Sequence, residues 1–185
     1  MAKTNALIEL ETRINVLEGA LVPTVNSLGI YTNAELDLIR AYVLLCHAEI
    51  ETFIEDWAKI LLQTLTAELQ NLKSGSKFAR LHANRVARDL LHTINTNHGI
   101  KAKNLLNMFG PFGILETDFD AIDANFLSLL NGFGHRRGES AHGSVMRATK
   151  QPNPIQEKKT VYEILSHLEK FEEVLIRIRL SGILK

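Results

Sequence analysis

The chain has 185 residues, 45% hydrophobic and 23% charged, with Lys plus Arg and Asp plus Glu balanced at 21 each. That size and balance fit one domain spanning residues 1–185 with its own buried core, and exclude a disordered or fibrous chain. A lone cysteine, Cys46, excludes an internal disulfide, and no apolar run suits a signal peptide or a bilayer span. The expected setting is the cytoplasm, without membrane contact.

Leu7, Leu10, Ile14, Leu17 and Leu21 recur at helical spacing until Pro23, Asn26 and Gly29 interrupt them. Thr32 and Glu35 stand three apart, as in a capping box that opens a helix. Beyond it, Leu36, Val43, Ile50 and Trp57 form one seven-residue series, and Ile39, Cys46, Phe53 and Ile60 form a second. Such a seam needs a partner helix, either within the bundle or across a dimer. Continued to Leu72, this helix is about forty residues, on the order of 60 Å, so it either kinks or builds an interface. A turn is predicted at 73–77, followed by a basic helix on the spacing of Leu81, Val86, Leu90, Leu91 and Ile94, and by a short piece at 101–109. The sequence GPFG at 110–113 breaks the chain, and Thr117 or Asp118 then caps a single helix carrying Ile122, Phe126, Leu129 and Leu130. Finally, Asn153 caps and Pro154 opens an amphipathic helix through Val161, Ile164, Leu165, Leu168, Phe171, Leu175 and Ile178. With no strand pattern present, the predicted fold is an all-α, up-and-down bundle of five to six helices.

The neutral total conceals segregation. Residues 1–72 hold four basic against ten acidic side chains, whereas 73–103 hold seven against one and 135–150 hold four against one. Lys77, Arg80, Arg85 and Arg88 in the first basic segment are candidate contacts to an RNA backbone, the alternative being an ordinary solvated helix face. No metal site is predicted, because His82, His92 and His98 lack the spacing that presents two imidazoles from one helical face. The acidic run DFDAID at 118–123 has neither the glycine nor the glutamate of a calcium loop and suits a helix N-terminus instead. Cys46 and Trp57 lie in the apolar seam, where packing is the expected role.

The stretch HRRGESAHGS at 135–144 is different. Arg137 and His142 give the spacing RxxxxH, and Arg136 gives RxxxxxH. In a continuous helix a step of five turns about 140°, so these side chains converge only from a loop-to-helix junction, which Gly138 and Gly143 favour, or through a second subunit. RRGESAHG resembles the signature of the HEPN superfamily (higher eukaryotes and prokaryotes nucleotide-binding), particularly its RiboL-PSP-like branch. The stretches at 44–62, with Glu51 two residues before Phe53, at 126–143 and at 151–165 are similar to other parts of that pattern. Where many members follow the arginine with Asn, Asp or His, this chain has Gly138.

The resemblance implies a HEPN-like homodimer with two motifs facing one cleft, and a metal-independent endoribonuclease of the toxin or defence type that needs no cofactor. It implies Arg137, His142 and Arg136 as catalytic residues, Ser140 as a supporting residue, RNA as substrate, and an antitoxin or nucleotidyltransferase as a possible partner. Glu51 is either an orienting group for a motif arginine or an ordinary salt-bridge residue. The rival expectation is a non-catalytic HEPN module for dimerisation, nucleotide binding or partner-protein binding.

Overall fold

The computed structural model describes residues 3–26, 28–71, 77–142 and 151–182, apart from the side chains of residues 78–80, 141 and 142. Among the described residues there are seven α-helices and no strand. The helices are α1 (Asn5–Leu21), α2 (Asn33–Asn71), α3 (Lys77–Asn95), α4 (Ala102–Phe109), α5 (Glu116–Ile122), α6 (Phe126–His142) and α7 (Pro154–Ser181).

The central element is α2. Its predicted capping box forms, with the Thr32 amide donating to Glu35 at 2.7 Å and the Glu35 amide donating to the Thr32 hydroxyl at 3.3 Å. The helix runs unbroken for 39 residues. Leu36, Ile39, Val43, Cys46, Ile50, Phe53 and Trp57 are all buried within this one chain, and Ile60 is partly so. Residues off the seam, including Tyr42, Ile54, Ala58 and Leu61, are buried as well. The partner for the seam is therefore the chain's own bundle.

Side-chain contacts give the helix directions. Arg13 Nε donates to Glu49 at 2.9 Å, and Thr4 meets the Glu172 that also receives the Trp57 indole N–H, so α1 is antiparallel to α2. Asn97, just after α3, donates to Glu55, which makes α3 antiparallel as well. Position 47 faces 133 and position 40 faces 140, so α6 also descends along α2. On α7, Tyr162 reaches Asn15 and Glu18, and Glu172 reaches Thr4, so α7 runs with α2. The buried Glu172 carboxylate joins three helices: it accepts from Trp57 Nε1 at 3.1 Å and from the hydroxyl of Thr4, the N-cap of α1, at 2.6 Å. A buried carboxylate is tolerated here because those donors replace its water.

The structure corrects the helix count. The single helix expected through Ile122 and Leu130 is two, because the Asp123 carboxylate accepts from the Asn125 amide at 2.8 Å and ends α5 in an Asx turn. That bond, and then His167 of α7 at 3.3 Å, hold the Asp123 carboxyl below its ordinary value. The cap of α5 is also displaced from Thr117: the helix starts after Leu115, whose amide donates to Asp118 at 2.7 Å. In α3, Leu90 and Ile94 are buried, but Leu81, Val86 and Leu91 are exposed, so only part of its expected apolar face meets the core. Leu72 and most of the predicted turn, 73–76, lie outside the described residues. The cap of α7 forms as expected, Asn153 accepting from the Ile155 amide at 3.0 Å.

Candidate functional site

The helix α6 carries the motif, and two anchors fix its last turns. Upstream, the Phe133 ring stacks on buried His47 of α2 with centroids 5.9 Å apart. Downstream, Arg40 Nη2 donates to the Ser140 carbonyl at 2.7 Å. Carbonyls in the final turn of a helix have no partner inside it, and a cation there complements the negative end of the helix dipole. Arg40 is well placed for this, with only 14% of its side chain exposed.

The two motif arginines differ. Arg136 Nε lies 3.1 Å from the Glu157 carboxylate of α7, and its guanidinium sits 5.6 Å from the centroid of the Phe133 ring. The angle at that short approach is too poor for a hydrogen bond, so charge attraction and the ring face hold this arginine rather than a bidentate fork. Arg137 is partly exposed and makes no ion pair or side-chain hydrogen bond among the described residues.

His142 is the last residue of α6; its side chain, like all of Gly143, lies outside the described residues. The loop-to-helix junction expected between Arg137 and His142 does not form, since α6 continues through both. Gly138 is inside the helix, and a Cβ built there meets nothing within 4 Å. Three glycines, Gly132, Gly134 and Gly138, weaken the intrinsic preference of α6 for helix by roughly 1 kcal/mol each relative to alanine. Gly134 has a packing reason, because a Cβ would come within 2.9 Å of Lys101 Cγ. On this helix Arg137 and His142 sit about 140° apart around the axis.

Glu51 faces His47 at 3.5 Å and Asn97 at 3.5 Å, while the carboxylate beside a motif arginine is that of Glu157. Ser140 contributes its backbone carbonyl, through Arg40. Lys77, Arg85 and Arg88 are exposed on α3 within an arc of about 80°; Arg80 lies in the same helix with its side chain outside the described residues. Because α3 and α6 both descend along α2 but at different levels, Arg88 and Ser140 are separated by roughly 30 Å along the bundle. The structure does not gather the basic face and the motif into one pocket.

Glu157, Arg40 and His47 were missed in the sequence. Glu157 did leave a signal: it lies four, seven and eleven residues before Val161, Ile164 and Leu168, a carboxylate on an apolar stripe. Elsewhere, Trp57 is a buried packing residue, and burial pushes the Cys46 thiol up to about 12. Cys46 should therefore resist iodoacetamide at pH 8 in the folded protein and react fully in urea, as read by intact mass; labelling of the native chain at the unfolded rate would contradict this burial.

No helix among the described residues is long and apolar enough to cross a membrane. No curated protein and no solved structure matches the chain significantly. The sequence profile of the RiboL-PSP-HEPN family matches residues 8–179, from within α1 to within α7. A match that takes in the whole bundle settles the relationship: this chain belongs to the RiboL-PSP-HEPN family of HEPN-type domains.

Proposed function

We propose that the protein is a metal-independent endoribonuclease of the toxin or defence type, working in the cytoplasm at a cleft between two copies of the chain. The observation that carries this reading is the division between the arginines. Arg136 is engaged by Glu157, which leaves Arg137, five residues before His142, available for a phosphate. Arg136 then acts as a positioning residue that ties α6 to α7, with Ser140 and Glu51 supporting α6 through Arg40 and His47.

RNA supplies its own nucleophile. Histidine removes the 2′-OH proton, the 2′-oxygen forms a bond to phosphorus, and the bond from phosphorus to the 5′-oxygen breaks as the same histidine, now protonated, returns that proton to the leaving oxygen. Arginine, always charged, stabilises the extra negative charge on the phosphoryl oxygens. The products are a 2′,3′-cyclic phosphate and a 5′-hydroxyl. Because Arg137 and His142 diverge on one α6, a second copy supplies the complementary group. The basic face of Lys77, Arg80, Arg85 and Arg88 suits an RNA long enough to reach roughly 30 Å beyond the motif, such as a folded tRNA.

One observation favours a second reading. At Gly138 the helix surface is open and bears no donor, which suits a non-catalytic module that binds a nucleotide, an antitoxin or a nucleotidyltransferase partner. The test is to incubate the full chain with tRNA and total RNA in EDTA, beside Arg137→Ala and His142→Ala. Cleavage with cyclic-phosphate ends by the parent, lowered at least about 100-fold in each variant, supports the enzyme. RNA retention without cleavage supports the module. Equal cleavage in all three samples sinks the assignment of this motif.

A further inference from the structure

Besides its buried seam, α2 has a second apolar line. Ala34, Leu38, Ala41, Leu45 and Ala48 follow one another at steps of four, three, four and three, which keeps them within about 80° of arc. The structure leaves this line open: Leu38 and Leu45 are each 41% exposed, Ala34 and Ala48 are exposed and Ala41 is partly so. No charged side chain interrupts it. From Thr52 onward the same line turns polar, through Asp56, Lys59 and Gln63, so the apolar stretch occupies only the N-terminal half of α2.

We infer that this line is the surface on which a second copy of the chain docks, with the two α2 helices antiparallel about a twofold axis at Ala41. The inference deepens the composite-cleft reading above and rests on it for the need of a second copy; the choice of surface comes from α2 itself. Read from either end, the line is Ala-Leu-Ala-Leu-Ala. An antiparallel copy centred on Ala41 therefore lays Ala34 against the partner's Ala48 and brings Leu38 beside the partner's Leu45, offset by about 1.5 Å of helix rise, the self-complementarity that a twofold interface demands. A standard-size interface needs roughly 800 Å² per partner, more than one narrow line supplies. The exposed Leu28 and Ile30, 77% and 68% accessible just before α2, lengthen the apolar surface at the same end.

The surface also lies beside the motif. Arg40, the neighbour of Ala41, is the residue that holds the Ser140 carbonyl, and it projects about 120° around α2 from the centre of the apolar line. A twofold perpendicular to the helix pair keeps both α6 helices on the same face of the dimer. With packed helix axes about 8–10 Å apart, the two α6 ends stand on the order of 20 Å from each other across a groove. That spacing leaves room for a phosphodiester between the motif-bearing ends of the two α6 helices.

The test is the molar mass of the full chain by light scattering and sedimentation at micromolar concentration. The parent is expected near twice its 20.8 kDa. Leu38→Glu with Leu45→Glu, which sets like charges against each other across the axis, should halve that mass with unchanged helical circular dichroism. Leu38→Glu with Leu45→Lys, which sets opposite charges against each other, should restore the dimer. Leu180→Glu, at a residue 80% exposed at the far end of α7, should leave it intact. A monomeric parent, or a dimer indifferent to the like-charge pair, overturns the proposal; failure of the opposite-charge pair to restore the dimer overturns the antiparallel register. RNA cleavage is read separately: a parent that dimerises through this surface but cleaves nothing keeps the interface and removes the ribonuclease.

Discussion

Mixing Arg137→Ala with His142→Ala should return activity that neither variant has alone. The shared cleft of a twofold dimer holds two composite sites, and each variant homodimer lacks one of the two groups in both, so each should cleave RNA at least about 100-fold more slowly than the parent. After exchange of subunits, half of the dimers are mixed. In a mixed dimer one of these sites combines the intact Arg137 of one chain with the intact His142 of the other, and the second site has neither. An equal mixture should therefore recover about a quarter of parental activity, by counting composite sites in a twofold dimer. Sites that took both groups from one chain would recover nothing on mixing. The experiment thus measures the 140° divergence along α6 as a division of labour between subunits.

The largest stability effect is expected at Phe171. This α7 side chain is 1% exposed and joins the Phe109 ring edge-on at 5.1 Å, Phe119 at 5.0 Å and Phe126 at 6.3 Å. Phe171→Ala removes the ring on which α4, α5 and α6 converge, leaving a cavity none of the three can fill alone. The cost should be about 3–5 kcal/mol, combining lost transfer energy, the cavity and aromatic contacts. Domains of this kind are stable by only about 5–15 kcal/mol, so the urea midpoint followed by circular dichroism should fall sharply. Leu180→Ala, at an exposed position, should change stability by less than about 0.5 kcal/mol. Similar losses from both substitutions would contradict the packing described for α7.

Helices whose ends are capped by neighbours in sequence were legible in advance. Thr32 with Glu35, and Asn153 with Pro154, satisfy helix ends using residues within three positions, so the starts of α2 and α7 stand where the sequence places them. The break between α5 and α6 was hidden because Asp123 interrupts an apolar periodicity that otherwise continues, and one of its stabilising contacts, His167, comes from 44 positions further along. The motif was legible as a string but its surroundings were not. Glu157 reaches Arg136 only after a 21-residue excursion of the chain, and Arg40 meets Ser140 across 100 positions. Pairings of that span follow from the antiparallel packing of α6 against α7 and along α2, which no local pattern encodes.

The uninterrupted α2 also sets how tolerant the chain is to changes in length. Helices α1, α3, α6 and α7 all take their register from it. One residue inserted near its midpoint would turn everything beyond by about 100° and shift it by about 1.5 Å, so Trp57 would leave Glu172 while Arg40 kept Ser140. The two halves of the bundle would then demand incompatible rotations of one rod. Insertions of seven, which bring the phase almost back, are the least disruptive there, and growth of this protein is expected instead in the connections between helices.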